Sequence, residues 1–243
     1  GVMNTDNTTI SGETIDYGPC AFVDRFDTAA VFSSIDHGGR YAYGNQPTIA
    51  RWNLARFAET LIPHLDDDTD EAVRLATEVI DAFSARYDAA WTAGARHKLG
   101  LDECHAGAAR AHAVALVELL REHRADLTRS WRALADVDRL VAEFPPGAGD
   151  DVRRWHTGYE ELVGECGVDR GTWTARIAAR NPIVIPRNHL VESALQAAVA
   201  DDIEPWERLL EAVRHPFDDP ADDAFTDPAP TEFTAGYRTF CGT

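Results

Sequence analysis

The sequence predicts a mainly α-helical protein that opens on a long irregular segment, and three observations carry that expectation. Apolar residues recur at helical spacing from Gln46 onward, strand-like runs are scarce after that point, and residues 1–46 are rich in Gly, Asn, Thr, Ser and Asp without a sustained period. Irregular segments of such length inside compact domains are usually functional. The expected organisation is therefore a loop and short-strand segment over 1–46 that carries chemistry, followed by a helical lobe over 47–243.

Ile49, Trp52, Leu54, Phe57 and Leu61 mark a first helix. Asp68 or Thr69 can cap a second, which runs through Ala72, Leu75, Val79, Phe83 and Tyr87 towards Trp91. Further helices are expected at roughly 103–123, 128–143, 151–165, 169–180, 187–200 and 204–214, with breakers at Pro145-Pro146-Gly147, Asn181-Pro182 and His215-Pro216. Ile183-Val184-Ile185 is the best short strand candidate after residue 46, and the Asp- and Pro-rich stretch 218–231 reads as a surface excursion. The six tryptophans fall at helical core spacing and are expected to pack.

At 243 residues and 44% hydrophobic content, the chain can bury a sizeable core. Its formal charge of -18 would repel a phosphate backbone, which argues against nucleic-acid binding. No apolar run approaches the ~20 residues of a membrane span, and the N-terminus lacks a secretory signal, so a cytoplasmic protein is expected. Lys98 is the only lysine among 23 basic residues, a bias that either salt adaptation or a GC-rich coding sequence would produce. Four cysteines, Cys20, Cys104, Cys166 and Cys241, show no C-x-x-C spacing, and neither a zinc knuckle nor a disulfide framework is expected. The chain begins at Gly1, within its densest motif, and reads as a fragment.

That motif spans Gly1 to Pro19 and contains Asp6, Asn7, Glu13 and Asp16, hard oxygen donors of the kind magnesium prefers. A hairpin with Asn7 to Ile10 outgoing, Ser11-Gly12 turning and Thr14 to Asp16 returning would bring ligands nine residues apart together. The same residues can instead make Asx turns with no ligand. His37-Gly38-Gly39-Arg40-Tyr41 reads equally as a guanidinium offered to phosphate or substrate and as turn structure. His105 and His112, seven apart, share a helix face without a third ligand. Ser11 and Ser33-Ser34 lack a G-x-S-x-G elbow, which leaves a hydrolase triad unsupported.

Asn4-Thr5-Asp6-Asn7, Ile10-Ser11-Gly12-Glu13-Thr14-Ile15-Asp16-Tyr17-Gly18-Pro19, Phe32-Ser33-Ser34-Ile35-Asp36-His37-Gly38-Gly39-Arg40-Tyr41, Asn45-Gln46-Pro47 and Trp52-Asn53-Leu54-Ala55-Arg56 together resemble the selenoprotein O (SelO) family of protein adenylyltransferases. Trp173, Asn181-Pro182 and Arg187-Asn188 extend the resemblance. It implies the C-terminal lobe of a protein-kinase-like fold and transfer of AMP from ATP to Ser, Thr or Tyr hydroxyls of proteins, with Mg²⁺ or Mn²⁺. Asp6 is then the catalytic base, Asn7 and Asp16 are the metal ligands, and Asp16 also contacts ATP through the metal. In the family the phosphate-gripping basic residues lie largely in an N-terminal lobe that would precede Gly1, so this chain alone is expected to be impaired. Cys241 matches a C-terminal cysteine or selenocysteine of the family, but Phe32 stands where relatives can carry its partner thiol. The partners implied are ATP and hydroxyl-bearing proteins, with no nucleic acid and no membrane. A catalytically inactive scaffold of the same fold and a helical interaction module are the alternatives.

Overall fold

The computed structural model describes residues 2–13 and 21–240. It is mainly helical as expected, and among the described residues the only β pairing is an isolated antiparallel bridge, Arg25 with Asp126. The chain divides into two compact units: one of residues 1–21, 28–91 and 238–243, the other of 22–27 and 92–237.

In the first unit, helix α1 (Gln46–Leu65) packs against α2 (Thr69–Asp81). Pro47 lies in the first turn of α1, where its missing N–H costs nothing, and Pro63 falls two residues before the helix ends. The Asp68 carboxylate caps α2 by accepting from the Asp70 and Glu71 N–H groups. Ile49, Asn53 and Ala72 are the buried residues of the pair, and Arg51 reaches Asp81 at 2.8 Å. The apolar pattern from Ala72 to Trp91 predicts one helix, but the helix is interrupted at Ala82 and restarts as α3 (Phe83–Lys98). The first unit ends within α3, at Trp91.

The second unit is built on α4 (Ala106–His123), α7 (Gly149–Glu165) and α8 (Arg170–Arg180). Ala109, Ala113, Leu116 and Leu120 form one buried face of α4 at helical spacing. Against it α7 buries Val152, Trp155, His156, Tyr159, Leu162 and Val163. The Tyr159 hydroxyl accepts from Trp173 Nε1 at 2.8 Å and donates to the Leu99 carbonyl at 2.5 Å. Burial pushes this phenol above its ordinary range, so it stays a donor. Gly100 adopts φ +71 beneath Trp173, where an added Cβ would meet the indole at 3.1 Å.

Between these helices, the stretch expected as a single helix over 128–143 is α5 (Leu127–Arg132), a 3₁₀ turn (Ala133–Ala135) and α6 (Val137–Ala142), because Asp136 caps a fresh start. Helices α9 (Asn188–Val199) and α10 (Glu204–Arg214) pack as a hairpin, and the tail adds α11 (Thr231–Gly236) just past the expected surface excursion. Ile183-Val184-Ile185 is not a strand: the Ile183 and Val184 N–H groups both bond the Pro216 carbonyl, and no neighbouring chain offers a ladder. Cys104 and Cys166 form a disulfide, contrary to expectation, which ties the start of α4 to the end of α7. Trp131, Trp155 and Trp173 are buried as expected, whereas Trp52 and Trp206 are each 41% exposed.

Residues 22–27 are held in the second unit by a buried ionic network. Arg187, with no exposed surface, contacts Asp24 at 2.5 Å and Asp126 at 2.8 Å. The Ala229 N–H donates to the second oxygen of Asp24, and the Asn188 amide bonds both the N–H and the C=O of Phe22. Among the described residues no helix is long and apolar enough to cross a membrane.

Candidate active site

Asp6 and Asn7 do not lie on an extended strand. Thr5–Asn7 is a single 3₁₀ turn, closed by the Asn7 N–H to the Asn4 carbonyl at 3.0 Å and the Thr8 N–H to Thr5 at 3.4 Å. With three residues per turn, neighbouring side chains diverge by about 120° rather than pointing to opposite faces. The chain then turns again at Thr9 to Gly12, where Gly12 takes φ +73 and the Thr9 hydroxyl donates to the Glu13 carbonyl at 2.6 Å. The returning arm of the expected hairpin, and with it Asp16, lies outside the described residues, as do Cys20 and Cys241. The structure thus places two of the three expected site residues side by side.

Both candidate groups are open. Asp6 and Asn7 are exposed, and among the described residues the Asp6 carboxylate accepts no hydrogen bond. Asn7 donates Nδ2 to the Val2 carbonyl at 3.3 Å, which leaves Oδ1 as an unused hard donor. That suits a partial shell for Mg²⁺ or Mn²⁺, which bind few protein oxygens and take the rest from water or phosphate. Among the described residues no group of three or more His, Cys, Asp or Glu is arranged to hold a metal by itself.

The turn is gripped from two other parts of the same unit. Asn53, 5% exposed on α1, spends both amide hydrogens on it: one to the Met3 carbonyl and one to Thr8 Oγ1, each at 3.0 Å. The Thr8 hydroxyl passes its own hydrogen to the Asn4 carbonyl at 3.1 Å. The Tyr41 hydroxyl bonds Asn4 Oδ1 from the other side. The one signal for Asn53 in the sequence is a polar residue four positions after Ile49, on the face of α1 that is buried.

His37 to Tyr41 makes turn structure. The Asp36 carboxylate accepts from the Arg40 and Tyr41 N–H groups at 2.8 and 2.9 Å, Gly39 takes φ +64, and Asn45 bonds the Gly39 carbonyl at 2.7 Å. The Arg40 guanidinium rests 4.8 Å from the Trp52 ring centre, with Arg56 at 5.4 Å from the same ring. The exposed face of Trp52 is therefore a platform for cations.

The histidine pair does not meet. His105 caps α4, its Nδ1 accepting from the Gly107 N–H at 3.2 Å, while His112 Nδ1 contacts the Ala108 carbonyl.

Comparison with known proteins agrees with the motif. Residues 1–214 match the family profile described as Protein adenylyltransferase SelO. The chain is 50% identical over 249 positions to Protein nucleotidyltransferase YdiU of Mycobacterium sp. (strain KMS), covering all of this chain and 50% of that protein. It is 49% identical over 248 positions to the protein of that name from Mycolicibacterium smegmatis, covering all of this chain and 48% of the relative. It is also 49% identical over 246 positions to that of Cereibacter sphaeroides (strain ATCC 17029 / ATH 2.4.9), covering all of this chain and 50% of the relative. The chain spans about half the length of these curated relatives.

Proposed function

The chain belongs to the SelO family, and from that premise we propose that it supplies the catalytic turn and metal-binding segment of a protein adenylyltransferase, on the C-terminal lobe of a kinase-like fold. The observation that carries this reading is the open pair of Asp6 carboxylate and Asn7 Oδ1 on one fixed turn, inside the matched region.

In this reading a Ser, Thr or Tyr hydroxyl oxygen of a protein attacks the α-phosphorus of ATP. A bond from that oxygen to phosphorus forms, the bond to the bridging oxygen of the β-phosphate breaks, and pyrophosphate leaves. Asp6 accepts the hydroxyl proton, a task that suits an exposed carboxylate with no competing donor among the described residues. Asn7, with Asp16, holds Mg²⁺ or Mn²⁺ beside the phosphates. Bound there, the cation neutralises charge that builds on the phosphate oxygens. The exposed Arg40 guanidinium, resting on Trp52, can meet an acidic group of a substrate.

The test joins the chain to the N-terminal half of a mycobacterial relative and supplies ATP labelled at either phosphate, with Mg²⁺ or Mn²⁺. Label from the α-phosphate on protein, lost in Asp16→Ala and Asp6→Ala, is the expected result. Transfer from the γ-phosphate would make it a kinase, and no label in either case would leave a scaffold.

A further inference from the structure

We propose that Asn53 and Tyr41 are positioning residues for the catalytic turn, acting through its backbone rather than on substrate. This rests on the reading of Asp6 and Asn7 as the reactive pair. Thr5 to Asn7 has no buried side chain, so hydrophobic burial cannot hold its shape. Its remaining bonds are local to the segment: two backbone bonds, Asn7 Nδ2 to the Val2 carbonyl and Thr8 Oγ1 to the Asn4 carbonyl. What fixes it is the pair of brackets at its ends: Met3 and Thr8 tied to one buried amide, and Asn4 tied to one phenol.

The bracket is built for this use. Asn53 is polar on the face of α1 where the other buried residue is Ile49, a placement that costs desolvation unless its donors are satisfied. Both donors are spent on the turn, while Oδ1 is buried with no partner. An apolar residue would pack there without that penalty, so stability alone does not explain an asparagine. Tyr41 is itself set by the Asp36 carboxylate at its N–H, which links the His37 to Tyr41 turn to the catalytic one. Leucine at 53 or phenylalanine at 41 would leave the fold of α1 intact and release the turn.

Two measurements decide this. In the 243-residue chain, amide hydrogen exchange over residues 2–9 should run about tenfold faster in Asn53→Leu than in wild type, the loss expected for two hydrogen bonds. An Ile49→Ala control weakens α1 without touching the turn. In the chain extended with a relative's N-terminal half, Asn53→Leu should lower kcat for AMP transfer about tenfold with KM for ATP held within about twofold. Tyr41→Phe should do the same to a smaller degree. Unchanged exchange over 2–9, or a kcat loss no greater than that of Ile49→Ala, overturns the inference. Absence of AMP transfer in the unsubstituted extended protein overturns the functional reading instead, and the exchange experiment still decides the bracket.

Discussion

Reducing the Cys104–Cys166 disulfide should destabilise the second unit by about 4 kcal/mol without altering its folded core. The bond closes a loop of 62 residues, and the loss of denatured-chain entropy for a loop of that length is worth about 4 kcal/mol at 25 °C. The folded side should change little. Trp155 Nε1 remains bonded to the His112 carbonyl, and the hydrogen-bonded chain from Trp173 through Tyr159 to Leu99 does not involve sulfur. Urea unfolding followed by tryptophan emission, with and without a phosphine reductant, reads this directly. With a slope of about 2 kcal/mol per molar, the midpoint should fall by about 2 M while the slope changes only modestly. The Cys104→Ser/Cys166→Ser double variant should unfold like the reduced protein and be indifferent to reductant. Denatured, unreduced protein should show two fewer titratable thiols than its reduced form. Finding all four cysteines free, or a bonded protein whose midpoint moves by less than about 0.5 M, would refute the argument.

Arg187→Met should cost the second unit about 3–5 kcal/mol, because the buried Asp126 and the half-buried Asp24 would then face each other unneutralised; calorimetry checks it. Tyr159→Phe leaves the Leu99 carbonyl and the Trp173 indole N–H buried without partners, and should lower the thermal midpoint by about 5–10 °C. Burial holds the His189 imidazole below its ordinary value, against an opposing pull from the Asp24 carboxylate, and its Nδ1 is buried without a partner. The unfolded chain therefore binds this proton more readily than the folded one, and stability should fall as pH drops from about 7 to 5. His189→Gln should flatten that slope in urea midpoints taken across the range; an identical slope would remove His189 as its source.

What the sequence made legible depended on whether a local signal existed. Asp68 caps α2 as the sequence suggests, and α10 runs over the expected 204–214 ahead of the breaker at Pro216, whereas the Asp136 cap splits the single helix expected over 128–143. The interruption at Ala82 had no such signal, since Val79, Phe83 and Tyr87 carry the helical period straight across it. Ile183 to Ile185 had the right composition for a strand but no second strand to pair with, and composition does not supply partners. The disulfide joins residues with no characteristic spacing, so only the packing of α4 on α7 could reveal it. At the site, the residue types alone left Asp6 and Asn7 open between metal ligands and Asx turns, and the roles expected of them came from the family resemblance. Asn53 was not legible, because its role lies in contacts made across 45 and 50 positions of chain.

The arginine bias takes on a different meaning beside these contacts. Salt adaptation or coding bias would account for a preference with no structural task, yet many of these guanidiniums do what an ammonium cannot. Arg176 grips both oxygens of Glu103, at 2.7 and 2.6 Å, and reaches the Gly100 carbonyl. Arg132 collects the carbonyls of Ala178 and Asn181 together with Asp219, and Arg180 collects the His97 carbonyl and Asp102. Each closes the end of a helix against a loop by several directed bonds from one planar group, and lysine at those positions would keep the charge but lose the fork. Lys98 is the contrasting case. Its ammonium lies 5.0 Å from the Trp131 ring centre and burial lowers its pKa, a placement that uses a compact charge and no fork. In a chain of net charge -18, arginine therefore serves as a cross-linker between carboxylates and helix-end carbonyls.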